Sequence, residues 1–426
     1  MCHPQIVQGL SKNRKTRPAS IIDQSFATSA TVSCPTLIPV EITAWTLKPV
    51  MSTVHPDQPN SKIRVGIVYG GQSAEHEISI LSARNVLEAL DRERFEPVLF
   101  GITRDGQWIK QTATTLLSSI DPKHVALEMG NTVNPLLLGA SSTAIQLSND
   151  LQGQQSVDVV FPVLHGSKGE DGAVQGLLEV AGIPYVGAGV LGSALGMDKD
   201  VMKRLLLEAG IPVAKFMVFR KHAFEKDQVS VCRAAACLGF PLFTKPANLG
   251  SSVGVRKVVT VKQLRDGISY ALQFDDKVIV EEAVTGRELE CGVLGGDEPR
   301  ASSVGEVVVT SADGFYSYNA KYLDEHGARL EVPAHIDKVT SQRIQRLAVR
   351  TFEILECHGL ARVDFFLTAQ GRLLVNEINT LPGFTATSMY PKLWQVSGVS
   401  GCELVTQLLE LAMQRHALKS LRVTFT

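Results

Sequence analysis

The chain has 426 residues, too many for one average domain, so two or three compact units are expected. Its 42 Lys and Arg balance 43 Asp and Glu, and a net charge of −1 gives no reason to expect nucleic acid or an anionic membrane as partner. No apolar run nears the ~20 residues that span a bilayer. The seven cysteines are scattered without a CxxC pair, which supports neither zinc nor a disulfide framework and fits a reducing cytoplasm.

Residues 1–60 are rich in Ser, Thr and Pro, poor in acids and without periodicity. Three readings stay open: a disordered extension, a translated upstream region with Met51 as the true start, or an organelle-type targeting peptide. From Lys62 strand and helix patterns alternate, which predicts an α/β fold. "KIRVGIVYG" predicts a strand, "ISILSARNVLEALD" a helix and "FEPVLFGIT" a second strand. Residues 111–155 are polar and irregular. "VDVVFPVLHG" predicts a buried strand, "HGSKGEDGAVQGLLEVAG" a loop then a helix, and "IPYVG" a short strand, completing a doubly wound unit. "MDKDVMKRLLLEAGIP" is a helix ended by Gly210 and Pro212. "FPLFTKPANLGSSVGVRKV" reads as a hairpin across a Gly/Ser-rich loop, and "KVIVEEAV" as a further strand. Beyond Gly286 the pattern is strand-rich, with a helix at about 338–357, two more strands and a closing helix. The expected units are an extension at 1–60, an N-terminal unit at 61–187, a central unit at 188–285 and a C-terminal unit at 286–420. Cys232 and Cys237 are expected to pack as small hydrophobes.

The clearest constellation is "ARVDFFLTAQGRLLVNEINTLPG". Strand periodicity puts Arg362 and Asp364 on one face, and Glu377 and Asn379 on one face of the next run. If residues 368 and 373 close a hairpin, Asp364 lies opposite Glu377 and Arg362 opposite Asn379. Hard oxygens then converge as Mg²⁺ prefers. The plainer alternative is a solvated Arg–Asp pair, but Val363, Phe365, Val375 and Ile378 place a core behind this face. Lys245 precedes the loop Gly250, Ser251, Ser252 and Gly254, whose backbone and hydroxyls suit phosphate. Lys199 starts a helix, and Lys321 sits in an aromatic loop. "GAGVLG" imitates a dinucleotide fingerprint, but no acid follows at the distance that fold needs, so it reads as an interdomain turn. "KIRVGIVYGGQSAEHEIS" sets Glu75 and Glu77 where a phosphate-binding turn would hold an anion, which points to an ammonium instead.

"GGQSAEHEIS", "HGSKGEDG", "MDK", "KPANLGSSVGV", "VEEAVTGRELE", "YNAKY", "ARVDFF" and "NEINTLPGFTATSMYP" together resemble the D-alanine–D-alanine ligase family of the ATP-grasp superfamily, from Lys62 to the closing helix. The resemblance implies a three-domain ATP-grasp architecture with an N-terminal doubly wound parallel-sheet domain, ATP as substrate, and two Mg²⁺ (or Mn²⁺) ions. It implies a cytoplasmic homodimer that joins two D-alanines for peptidoglycan precursors through an acyl phosphate. By matching position, Lys199, Lys245 and Ser252 would contact phosphates and Lys321 the γ-phosphate. Glu281, Glu282, Ala283 and Val284 would line the adenine and Glu288 the ribose, with Asp364, Glu377 and Asn379 on the metals. Glu75, bonded with Ser251 and Tyr322, would hold the first ammonium. Arg362 and the Gly383 backbone would stabilise the oxyanion, and Ser388 would hold the second carboxylate. His165 matches a substrate-side histidine whose protonation role stays open, and the 311–323 segment and serine loop match lids. Tyr322 stands where D-lactate-using relatives tend to carry Phe; Asn319 and Thr244 depart from the family pattern. Ligation to D-lactate, a nicotinamide-linked oxidoreductase and a non-catalytic nucleotide-binding module are the competing readings.

Overall fold

A computed structural model describes residues 62–118, 127, 131–133, 135, 156–310 and 327–421. The extension with Met51, Asn319, Lys321, Tyr322 and the 311–323 segment lie outside the described residues.

β1 (Ile63–Gly70) is almost wholly buried, as a strand covered on both faces must be. It pairs in parallel with β2 (Phe95–Ile102). β3 (Trp108–Gln111) runs antiparallel to β2, and β4 (Val159–Val163) flanks β1 in parallel, giving the order β3-β2-β1-β4. The sheet is therefore mixed rather than parallel. The cause is a tight turn in which Thr103 N–H donates to Gln107 O at 2.9 Å, with Gly106 at φ +91°, and so short a connection delivers only an antiparallel strand. "IPYVG" contributes a single parallel bridge, Val160 to Tyr185.

A second sheet holds β5 (Phe216–Arg220), β6 (Leu242–Pro246), β7 (Arg256–Val258) and β8 (Lys277–Glu282), in the order β5-β8-β6-β7. β6 and β7 form the expected antiparallel hairpin. The third sheet holds β9 (Arg287–Gly295), β10 (Arg300–Val309), β11 (Ala328–Glu331), β12 (Gly359–Leu367) and β13 (Leu373–Asn379), in the order β11-β10-β9-β12-β13.

Helix packing ties these sheets together. The closing helix Gly401–Ser420 buries Leu404, Val405, Leu408 and Leu409 in one core with Val65, Ile67 and Phe161 of the first sheet. Helix Lys199–Glu208, expected at the head of the central unit, buries Met202 and Leu206 against Val363, Phe365 and Val375 of the third sheet. Its N-cap Asp198 accepts from Asp200 and Val201 N–H, each at 3.1 Å, and pairs with Lys277 at the base of β8. The glycines of "GAGVLG" serve close packing: Gly187 has φ +101°, and a Cβ on Gly192 would sit 2.5 Å from Glu356 O. A helix, Val190–Met197, begins right after Gly189 and takes in Gly192, where only a turn was expected. Cys232 is buried, but Cys237 is exposed.

Candidate active site

β12 and β13 bring the metal-type ligands together. Arg362 pairs with Asn379 and Asp364 with Glu377, the expected register. The turn closes one residue differently, with Leu367 opposite Leu373, so an uninterrupted ladder would set Glu377 opposite Val363. A bulge at Asn376 restores the pairing. It also lets Val375 and Ile378, three residues apart, enter the same core. Lys203 Nζ donates to Asn376 O at 3.0 Å and so holds the bulge.

The register across β9 sets Glu290 opposite Asp364, which makes a row of Glu290, Asp364 and Glu377 over three strands. Arg362 sits beside that row. It donates to Asp364 through Nε at 2.7 Å and Nη2 at 2.8 Å, with Glu290 Oε2 2.9 Å from Nε. This is the Arg–Asp pair of the plainer reading, but a nearly buried one. Among the described residues no three His, Cys, Asp or Glu side chains gather as a ready-made metal cage.

Lysines meet this row from the other side. Lys199 Nζ lies 3.4 Å from Glu377 Oε2 and donates to Leu249 O at 2.7 Å, which anchors the serine loop. Lys245 Nζ lies 2.6 Å from Glu281 Oε2, and Lys203 Nζ 3.0 Å from Glu281 Oε1. Burial pushes the Glu281 carboxyl up, but the two ammonium groups outweigh it and hold it at about 2. Burial likewise disfavours charged Lys245, yet Glu281 and Glu377 raise it overall. For Lys203, burial and the charge of Lys245 win, and its value falls. Glu281 therefore serves the lysines, while Glu282 accepts from Lys215 N–H at 3.0 Å. Ser251 and Ser252 adopt φ +52° and +58°, left-handed strain concentrated in the loop over the cleft. Thr244 is buried, its hydroxyl turned to Arg256 O at 3.5 Å.

The first sheet supplies the opposite wall. A Cβ on Gly70 would meet Ile102 O at 2.3 Å, so the glycine is required by strand contact rather than by phosphate. Glu77 turns outward to Arg104 Nη2 at 2.5 Å, while Glu75 is buried and faces inward. His165 Nδ1 lies 3.2 Å from Leu381 O and 3.6 Å from Glu170 Oε1; Nε2 lies 3.2 Å from Ser82 Oγ. Burial disfavours the imidazolium, but Glu170 and Glu75 outweigh it and raise the value of His165. A Cβ on Gly383 would meet Ser388 Oγ at 3.0 Å. Ser388 precedes helix Met389–Val396 and makes no side-chain cap, its Oγ instead accepting from Thr385 N–H at 3.0 Å.

Two cavities result. One, of about 470 Å³, is lined by Glu75, His165, Arg362, Asn379, Gly383 and Ser388. The other, of about 300 Å³ between the second and third sheets, takes in Lys245, Ser252, Glu281 to Val284, Glu288 and Asp364. Lys199, Gly250, Ser251, Glu290 and Glu377 line both, so the two meet at the acid row. Every expected site residue among the described ones is thus brought to one of two joined chambers. Sequence reasoning missed Lys203, one turn after Lys199; Glu290, two residues after Glu288 on one strand face; and Glu170, inside the quoted "HGSKGEDG".

Three sheets around a lysine–carboxylate cleft and an adjoining acidic chamber define the ATP-grasp class. A family model described as D-ala D-ala ligase N-terminus matches residues 64–188, and one described as D-ala D-ala ligase C-terminus matches residues 205–410. The chain belongs to the D-alanine–D-alanine ligase family. It is 51% identical over 356 residues to D-alanine–D-alanine ligase A of Chromobacterium violaceum, covering 83% of this chain and 96% of that one. It is 48% identical over 357 residues to ligase A of Escherichia coli K12, covering 84% and 97%. Among solved structures, the Coxiella burnetii D-alanine-D-alanine ligase superposes with TM-score 0.70 at 34% identity, covering 84% of this chain and 96% of that one. The VanG D-Ala:D-Ser ligase from Enterococcus faecalis superposes with TM-score 0.70 at 36% identity, covering 83% and 100%.

Proposed function

We propose that this protein joins two D-alanines into D-alanyl-D-alanine with cleavage of ATP to ADP and phosphate, supplying peptidoglycan precursors in the cytoplasm as a homodimer. The observation that carries this reading is the meeting of a cationic cleft and an acidic chamber at Lys199, Ser251 and Glu377. Incubation of purified protein with D-alanine, ATP and Mg²⁺, followed by mass spectrometry, tests it. D-Serine and D-lactate in parallel reactions test the second substrate, because a D-Ala:D-Ser ligase is also structurally similar. Release of ADP without any dipeptide would refute it.

In this reading the ATP phosphates lie along Lys199 and Lys245 under Ser252, with adenine against the Ala283–Val284 backbone beside Glu281 and Glu282, and ribose at Glu288. Asp364, Glu377 and Asn379 offer hard oxygens on adjacent strands, a donor set that would hold one or two Mg²⁺ or Mn²⁺ ions. Such ions, when bound, neutralise phosphate charge. Glu75 binds the ammonium of the first D-alanine, with Ser251 nearby. The carboxylate of that D-alanine attacks the γ-phosphorus, ADP leaves, and the lysines stabilise the charge on the transferred group. The second D-alanine docks its carboxylate at Ser388 and the following helix N-terminus. Its neutral amine attacks the acyl carbon, Arg362 and Gly383 N–H stabilise the oxyanion, and phosphate departs. The ammonium proton must leave before attack, and His165, 3.6 Å from Glu170, lines the chamber where it is released. The serine loop excludes water, which would hydrolyse the acyl phosphate. Lys321 and Tyr322 keep the γ-phosphate and substrate roles that the family pattern gives them.

A further inference from the structure

Helix His76–Ala89 reaches the Gly383 loop through two side chains one turn apart. Asn85 Nδ2 donates to Phe384 O at 2.8 Å, and Ser82 Oγ accepts from Phe384 N–H at 3.1 Å. Ser82 is fully buried, and its oxygen also lies 3.2 Å from His165 Nε2. One hydroxyl thus touches both the imidazole and the Gly383–Phe384 peptide.

Proton accounting makes that contact directional. His165 Nδ1 faces the Leu381 carbonyl at 3.2 Å, which can only accept, so Nδ1 carries hydrogen in both charge states. In neutral His165, Nε2 is bare and Ser82 O–H must donate to it. In the imidazolium, Nε2 donates, and Ser82 must turn its proton away, its helical alternative being the carbonyl one turn back. Ser82 oxygen then accepts from Nε2 and Phe384 N–H together. The charged groups facing His165 are Glu170 from its own loop and Glu75 from the helix start. Ser82 touches both the imidazole and the Phe384 amide and so links them directly.

We infer that Ser82 is a positioning residue that carries the protonation state of His165 to the Gly383–Phe384 peptide. The purpose of this link rests on the ligase reading, in which Gly383 N–H faces the oxyanion and His165 the amine proton. A change in the charge of His165 during turnover would then reset the hydrogen bonding of the peptide that stabilises the intermediate.

The test is a pH titration of the full chain by NMR, following the His165 ring and the Phe384 amide. In the wild type the Phe384 amide should move with the midpoint of His165. In Ser82→Ala it should stop tracking His165, whose midpoint should fall by about one pH unit as the charge-assisted bond is lost. Asn85→Ala holds the same peptide less firmly but should keep the tracking, and Ser82→Thr should restore it. A wild-type Phe384 amide indifferent to His165, or one that tracks it equally in Ser82→Ala, overturns the inference. Dipeptide formation is assayed alongside: a wild type without product refutes the ligase reading and leaves the titration result standing.

Discussion

Replacing Lys203 by Met probes the charge architecture of the nucleotide cleft. Lys203 and Glu281 are 1% and 2% exposed, and Lys245 shares the carboxylate. Against burial, the two lysines hold Glu281 at about 2 rather than 4.5, a difference equivalent to about 3 kcal/mol in favour of the folded state at that carboxyl, partly offset by the lowered value of buried Lys203. Because the folded value lies below the unfolded one, this stability is fully present above pH 4.5 and is lost as pH falls through 2. Removing one of two counter-charges forfeits about half of it, and stripping the Asn376 carbonyl of its donor adds roughly 1–2 kcal/mol. The expected loss is about 3 kcal/mol, at the low end for a broken buried pair. Glu281 is then left to Lys245 alone, so phosphates must compete harder for that lysine. KM for ATP should rise about tenfold, equivalent to about 1.4 kcal/mol, while KM for D-alanine holds. Urea unfolding followed by tryptophan fluorescence, with steady-state kinetics, measures both. The double variant Lys203→Met/Glu281→Leu should recover none of the lost stability, because it strands buried Lys245, which rests on Glu281 at 2.6 Å. A loss below about 1 kcal/mol, or a double variant clearly more stable than the single one, would refute the reasoning.

Glu290→Gln should lower kcat roughly 10–100-fold with little change in KM for ATP, because Arg362 keeps Asp364 but loses its anchor on β9; phosphate-release kinetics read this. Asp364→Asn and Glu377→Gln should each raise the half-saturating Mg²⁺ concentration by about tenfold or more, which titration of turnover against Mg²⁺ checks. Arg415 donates to Gly187 O at 2.6 Å and Tyr185 O at 2.8 Å, binding the closing helix to the first sheet's last segment. Arg415→Ala should cost about 2–4 kcal/mol by thermal melting without altering KM for either substrate.

The sequence made the site more legible than the packing around it. Strand alternation placed Arg362 opposite Asn379 and Asp364 opposite Glu377, and the structure agrees. It did so through a bulge that alternation cannot reveal, since a hydrophobic pattern does not say where an extra residue is absorbed. Lys203 and Glu290 were invisible because their roles depend on neighbours far along the chain, Glu281 and Arg362. The antiparallel β3 escaped notice because "WIKQ" is short and its turn carries only Gly106 as a signal. The packing partner of helix Lys199–Glu208 was illegible for a similar reason. The helix's apolar stripe declares that a core exists but not which one, and Met202 and Leu206 chose the third sheet.

The pairing of every reactive charge has a thermodynamic consequence. Lys245 rests on Glu281, Lys199 on Glu377, and Arg362 on Asp364 and Glu290. Phosphates that draw Lys199 away leave Glu377 short of positive charge, and a divalent ion taking Asp364 and Glu377 releases Lys199 and Arg362 from them. Each ligand alone therefore strands charges of one sign in a partly dry cleft, whereas the two together exchange partners and strand none. Binding of nucleotide and of divalent ion must on this account be mutually favourable, each tightening the other by the same factor. On the proposed mechanism Arg362 would leave that exchange still held by Glu290 but relieved of Asp364, beside the chamber assigned to the oxyanion.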